Sequence, residues 1–481
     1  MRGLNWKVGS LFALFLMVSN VHAAGFSPCP DAGTIPALNG SMCAQEIVPA
    51  SYDSTPAMPV KTATLFVRKF PSPGKAKGSV WLVAGGPGES GASFYSMVDE
   101  LRRSFPGLDL IIPDHRGTGY SSKLCPDEEA VGSPGGMALQ GAEWGSCFGR
   151  LGGHPELARE FSITNAAHDL SLLIERNRDG KPVYVYGVSY GTQLVLRTLQ
   201  LGKLPVNGVI LDSLVPLQTA PEWELSRRSF VVDDVGRQVL KQCDANPDCH
   251  GMLGEPAETA YRHLLARAAK DPAIIADVPG KNLKRFFGTL LDVPAARGRI
   301  PYLIKALDEA RADELKAVLS ELQRAFDSLG SYPQSTASIP LVSIISASEN
   351  NLRLTLTAET LQQENEQLLF TSGLPELLLS PGLPSYERDK YFGKLPVQLP
   401  PMLVLQGTLD PKTHYDGALS HVAALRSIGQ VEMVSITNAP HFILWTAPAC
   451  FEQASRAFVA GKRRADRHCK LPTSTLRANR P

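Results

Sequence analysis

Three residue types that together turn a hydroxyl into a nucleophile occur along this chain in the order Ser, Asp, His. Ser189 stands in Gly187-Val188-Ser189-Tyr190-Gly191. A serine attacks a carbonyl only when a neighbouring base takes its proton. His441, in Asn438-Ala439-Pro440-His441-Phe442, is the candidate base, with His115 of Asp114-His115-Arg116-Gly117 as a rival. The imidazole in turn needs a carboxylate to orient it and to stabilise its cation. Asp410, in Gly407-Thr408-Leu409-Asp410-Pro411, fits that role, and Asp212 is the alternative. The oxyanion of an acyl-transfer intermediate needs two backbone N–H donors. Tyr190 and Gly86 are expected to supply them, because Pro87 in Gly85-Gly86-Pro87-Gly88 has no N–H. The set implies acyl transfer to Ser189 followed by hydrolysis.

The flanking patterns predict what positions these residues. Pro182–Tyr186 reads as a strand and Thr192–Leu201 as a helix, so Ser189 falls on a strand–turn–helix. Further strands are predicted over Thr64–Phe70, Ser79–Ala84, Leu108–Pro113 and Val206–Asp212. Helical patterns at Ser93–Ser104 and Thr164–Arg178 alternate with them. That alternation predicts a doubly wound, mostly parallel sheet. From 215 to 396 amphipathic helices dominate: Trp223–Cys243, Ala257–Lys270, Ile300–Ala312 and Glu314–Phe326. Alternation resumes with Met402–Gln406, Tyr415–Ile428, Val431–Thr437 and Pro448–Ala460. The expected organisation is a core over 24–214 and 397–481, with a mainly helical cap inserted over 215–396.

The first 23 residues differ. Arg2 and Lys7 precede Leu11–Val18, and His22-Ala23-Ala24 follows, the pattern of a cleaved secretory leader. The apolar run is too short to cross ~30 Å of hydrocarbon comfortably, so no stable membrane anchor is expected. Export predicts a periplasmic or extracellular location and oxidised cysteines. The eight cysteines are an even number, and proximity favours Cys29–Cys43, Cys125–Cys147, Cys243–Cys249 and Cys450–Cys469. Lys plus Arg number 48 and Asp plus Glu 47, a balance that leaves no electrostatic footprint for nucleic acid. No metal or cofactor is expected. Gly86-Pro87-Gly88-Glu89-Ser90-Gly91 satisfies a dinucleotide fingerprint, with Asp114 further on. Pro87 removes an amide from such a phosphate cradle, so the loop is read as an oxyanion loop.

The Gly85–Gly88 loop, the segment Asp114-His115-Arg116-Gly117-Thr118-Gly119-Tyr120-Ser121-Ser122 and the Ser189 elbow together resemble the proline iminopeptidase / tripeptidyl aminopeptidase family of α/β-hydrolases. Asp410 and His441 extend the resemblance over most of the core. It implies an α/β-hydrolase fold whose helical insertion closes over the site and whose acidic residues bind a peptide's free amino group. By that match Glu349, in Ser346-Ala347-Ser348-Glu349-Asn350, is the amine-binding candidate, with Glu222 and Glu224 as rivals. Ala347 and Asn350 stand where secreted relatives carry Cys and Asp, and Ala84 where a His is usual. The expected activity is an exported serine aminopeptidase. The same triad also serves an esterase acting on small esters, and a non-catalytic binding protein is the third possibility.

Overall fold

The computed structural model describes residues 25–53, 61–202, 204–379, 384–462 and 466–470. The leader expected over 1–23 lies outside them. A ten-stranded sheet runs in the order β1-β2-β3-β5-β4-β6-β7-β8-β9-β10. The strands are β1 Ser27–Pro28, β2 Met42–Pro49, β3 Thr62–Phe70, β4 Gly78–Val83, β5 Leu108–Pro113, β6 Val183–Val188, β7 Gly208–Asp212, β8 Met402–Gly407, β9 Val431–Thr437 and β10 Arg467–Lys470. From β5 to β10 every neighbouring pair is parallel, while β1, β2, β3 and β5 pair antiparallel. The fold is the α/β-hydrolase fold expected from the sequence.

The central strands are apolar on both faces because helices cover both. Successive residues point to opposite sides. Val183, Val185, Val209 and Leu211 therefore join one core cluster, and Tyr186, Val188 and Ile210 the other. A third cluster, including Val235, Tyr261, Phe287 and Phe370, lies within the insertion. Between β7 and β8 the described residues form no strand; the main helices there are Arg228–Asp244, Ala257–Lys270, Ile300–Asp308, Asp313–Ser328 and Ile339–Glu349. The sequence had placed the first of these at Trp223, but Glu224 instead caps a short 3₁₀ turn over Leu225–Arg227, and the α-helix starts after it.

The chain leaves β4 toward β5 on one side and reaches β6 on the other. Loops at the carboxyl ends of β4 and β6 therefore diverge and open a crevice, the usual ligand position in such sheets. The Gly85–Gly88 loop follows β4, and Ser189 follows β6. Disulfides join Cys29–Cys43, Cys125–Cys147, Cys243–Cys249 and Cys450–Cys469, the four pairs that proximity favoured. No helix among the described residues is long and apolar enough to cross a membrane.

Candidate active site

Ser189 sits at φ 55°, ψ −124°, between β6 and the helix Tyr190–Gln200. A non-glycine residue there is strained, and the turn persists because its neighbours leave no alternative. A Cβ on Gly187 would lie 2.6 Å from the Gly191 carbonyl oxygen, and one on Gly191 would lie 2.4 Å from that of Val83. Strand, helix and β4 thus approach more closely than any side chain permits. The bend holds the half-buried Ser189 at the cavity wall. Three more non-glycine residues at positive φ, Ser213, Asn438 and Phe442, flank the loops that carry the partners.

Asp410 is fully buried just past β8. Its Oδ1 accepts the Lys412 and Thr413 amides, each at 2.8 Å. Its Oδ2 accepts Thr413 Oγ1 at 2.8 Å and Gln406 Nε2 at 3.1 Å. His441 Nδ1 lies 2.9 Å from Oδ2 and 3.1 Å from Oδ1. Burial by itself would raise the Asp410 carboxyl, but His441 and the amides outweigh it and hold it below the usual carboxylate range. An ionised carboxylate only accepts, so Nδ1 carries the proton and Nε2 is left as the basic nitrogen. Gly407 lets the two loops meet: a Cβ there would fall 2.3 Å from the Ala439 carbonyl oxygen.

The rivals have other partners. Asp212 accepts the Ile443 and Leu444 amides at 2.8 and 2.9 Å and Tyr186 Oη at 2.9 Å. It therefore anchors the turn after His441 and does not touch the imidazole. His115 is buried against the Tyr190 ring, 5.7 Å between centroids, and burial pushes it down to about 4. It stays neutral behind the elbow.

Ser189, His441, Gly86 and Tyr190 line one cavity of about 570 Å³. Gly86 adopts φ +107°, and a Cβ on it would strike the Gly88 nitrogen at 2.2 Å. The next segment of this loop is braced by the insertion. Ser338 N donates to the Gly88 carbonyl at 2.9 Å, at the start of the helix Ile339–Glu349. Asp114, the acid of the dinucleotide-like pattern, accepts the Gly91 amide at 2.7 Å and the Tyr120 amide at 2.8 Å. It ties two loops of the core together.

The acids expected to bind an amine are placed differently from one another. Glu349 does not line the cavity. Its carboxylate accepts Arg197 Nη2 at 3.1 Å, Gln218 Nε2 at 2.7 Å and Tyr386 Oη at 3.0 Å, so its charge is already matched. Glu222 is exposed and lies off the cavity wall. Glu224 is buried and does line it. Among the described residues it accepts only neutral donors: the amides of Ser226 and Leu352 at 3.0 and 3.1 Å, and Ser226 Oγ. Sequence reasoning passed over Gln193, Arg228, Asp292, Lys412 and Thr413, all on the cavity wall. Thr413 was traceable from its spacing to Asp410, since a carboxylate readily accepts amides two and three residues on. The others look like ordinary polar positions of helices and loops.

Residues 78–289 match the family described as alpha/beta hydrolase fold, and residues 380–469 match the family described as TAP-like protein. The chain is similar to the serine protease Hip1 of Mycobacterium tuberculosis and to that of Mycobacterium bovis. Each is 25% identical over 275 residues, which cover 53% of this chain and 51% of the relative. The chain thus spans about half the length of the curated relatives it matches. Among solved structures, an esterase from Thermogutta terrifontis is 15% identical with a TM-score of 0.36, over 86% of this chain and 98% of its own. A bromoperoxidase from Bacillus anthracis is 14% identical with a TM-score of 0.38, over 87% and 100%.

Proposed function

We propose, from the premise that this chain belongs to the α/β-hydrolases and carries a TAP-like C-terminal part, that it is an exported serine aminopeptidase acting on short peptides with a free N-terminus. The observation that carries the reading is the meeting of Ser189 on its strained elbow with the His441–Asp410 pair in one cavity under a helical insertion. His441 Nε2 takes the Ser189 proton as Oγ attacks the scissile carbonyl. The Gly86 and Tyr190 amides hold the oxyanion, and the first turn of the helix Tyr190–Gln200 adds its positive end. The protonated imidazole then gives its proton to the leaving amine, and water hydrolyses the acyl-enzyme.

Glu224 is the residue we assign to the peptide's ammonium. It is buried on the cavity wall and its partners leave its charge unmatched. A buried carboxylate of this kind discriminates against an acetylated amine, which offers no counter-charge. The four disulfides support an oxidising, non-cytoplasmic compartment.

The test compares an Ala-Ala-Pro anilide and a Pro anilide with their N-acetylated forms and with a butyrate ester. Cleavage confined to the free-amine anilides is expected. Equal cleavage of the acetylated forms, or activity on the ester alone, would leave an esterase-type hydrolase. Absence of Ser189 labelling by a fluorophosphonate would leave a binding protein.

A further inference from the structure

We infer that Arg228 is an anion subsite on the leaving-group side of the cavity, so that the preferred substrates release a fragment carrying a carboxylate close behind the scissile bond. The inference rests on the peptidase reading above and adds to it a substrate class.

Arg228 opens the helix Arg228–Asp244 and lines the same cavity as Ser189 and His441. The guanidinium makes no hydrogen bond or ion pair within 4 Å to any described residue. The arginines with which the structure builds its framework behave otherwise. Arg116 is clamped by both oxygens of Asp169, and Arg68 by both oxygens of Asp31. Arg228 is half-buried on the cavity wall, so its five donors face the space a substrate would fill with no protein acceptor at hand.

Its surroundings sharpen the point. Asp292, also on the cavity wall, gives Oδ2 to Lys412 at 3.3 Å. Its Oδ1 is buried without a hydrogen-bond partner among the described residues. Asp292 also lies in the field of buried Arg297 and of Arg228, while Asp410 is committed to His441. Arg228, Arg297 and Lys412 thus all lie in the field of Asp292, of which Lys412 already takes one oxygen. Burial lowers the Arg228 guanidinium below its ordinary value, and Asp410 and Asp292 only partly restore it. The guanidinium itself has no carboxylate within ion-pair distance among the described residues, and an incoming carboxylate offers it the planar, two-oxygen partner that it matches.

The fragment follows from the substrate's own polarity. Arg228 shares the cavity wall with Ser189, His441 and Lys412. In a short peptide whose free ammonium stays with the acyl part, the terminal carboxylate always leaves with the amine, so a carboxylate held by Arg228 belongs to the departing fragment. In a short peptide that group is the C-terminal carboxylate, or an acidic side chain in the first residues after the cleaved bond.

The experiment offers Ala-Pro-Ala and Ala-Ala-Pro-Ala to the full chain, each as the free acid and as the C-terminal amide, with fluorophosphonate labelling of Ser189 in parallel. The free acids are expected to exceed the amides in kcat/KM by about ten-fold or more, the scale of one charge-assisted pair. In Arg228→Gln that ratio is expected to fall to near one, and Arg228→Lys to keep part of it. Equal kcat/KM for acid and amide in the wild-type chain would overturn the inference without any variant. A ratio that survives in Arg228→Gln would also overturn it, since the carboxylate would then be read by some other group. Cleavage of neither peptide while Ser189 still labels would remove the peptidase reading, and this inference with it.

Discussion

Arg197 and Glu349 form an ion pair of 3.1 Å in which the two side chains are 2% and 1% exposed. Arg197 lies on the helix that follows Ser189, and Glu349 ends a helix of the insertion. The pair therefore fastens the insertion to the helix that follows Ser189. Removing Glu349 leaves buried Arg197 with only Asp389, 3.3 Å away and 36% exposed, as counter-charge, so the cost is expected below the about 3–5 kcal/mol of a fully broken buried pair. Glu349→Gln is expected to lower the urea midpoint accordingly. It should change kcat/KM for free and acetylated anilides by the same factor, whereas an amine-binding role would penalise only the free ones.

Asp410 and Asp212 both end strands, yet their contacts differ, and so should their variants. Asp410→Asn removes the acceptor that fixes the His441 tautomer. The expected loss in kcat is about 10⁴-fold with retained far-UV dichroism. Asp212→Asn instead weakens the hold on the Ile443 and Leu444 amides. Its main effect should be on thermal stability, read as a lowered Tm, with a smaller loss of kcat as the His441 loop loosens.

The elbow glycines yield a steric test. A Cβ on Gly191 would lie 2.4 Å from the Val83 carbonyl and 2.8 Å from that of Ala84, both backbone atoms. Neither can step aside alone. Gly191→Ala is expected to cost about 1–3 kcal/mol and to reduce fluorophosphonate labelling of Ser189, because relief comes only by moving the helix. Gly149→Ala, where a Cβ meets nothing within 4 Å, is the matched control.

His421 offers a pH dependence with a defined sign. Burial pushes it down to about 4, against a partial rise from the Val215 carbonyl, which its Nδ1 meets at 2.7 Å. The folded chain keeps this ring neutral while the unfolded chain protonates it near 6.5. The unfolded state therefore binds more protons between those values, and this group's contribution is lost as pH falls from 6.5 toward 4. The span corresponds to about 3 kcal/mol. The difference in unfolding free energy between wild type and His421→Gln should shrink by that order between pH 7 and pH 4.5.

The sheet, and the grouping of Ser189 with the His441–Asp410 pair, were legible in the sequence because each leaves a short-range mark. Ser189 has its strand–turn–helix, Asp410 and His441 each follow an apolar run, and the buried strands are continuous apolar segments. The helix Ala257–Lys270 emerges with the boundaries its periodicity predicted. The edges were harder. β2 went unread because Met42–Pro49 is flanked by neither apolar continuity nor a clear alternation, and Ile47 on it is exposed. β1 and β10 are two and four residues long and exist through pairing. Glu349 shows the deeper difficulty. Its local sequence says that a carboxylate is present, but Arg197 and Tyr386, far away in the chain, decide whether that charge faces a substrate or a guanidinium. Arg228 was overlooked for the converse reason, since nothing local reveals a cation that lacks a partner.

The hydrogen bond from Ser338 to Gly88 has a further consequence for anyone who would exchange insertions between relatives to transfer selectivity. The loop that presents Gly86 leans on residue 338, and the helix that begins there ends at Glu349, bolted to Arg197. By its attachments this stretch belongs with the core loops around Ser189, although it is encoded between β7 and β8. A graft whose junctions fall outside it would carry off a wall of the oxyanion loop together with the specificity elements. Two separate grafts, one ending before Ser338 and the other starting after Glu349, would leave that stretch in place and exchange only the remaining walls of the cavity.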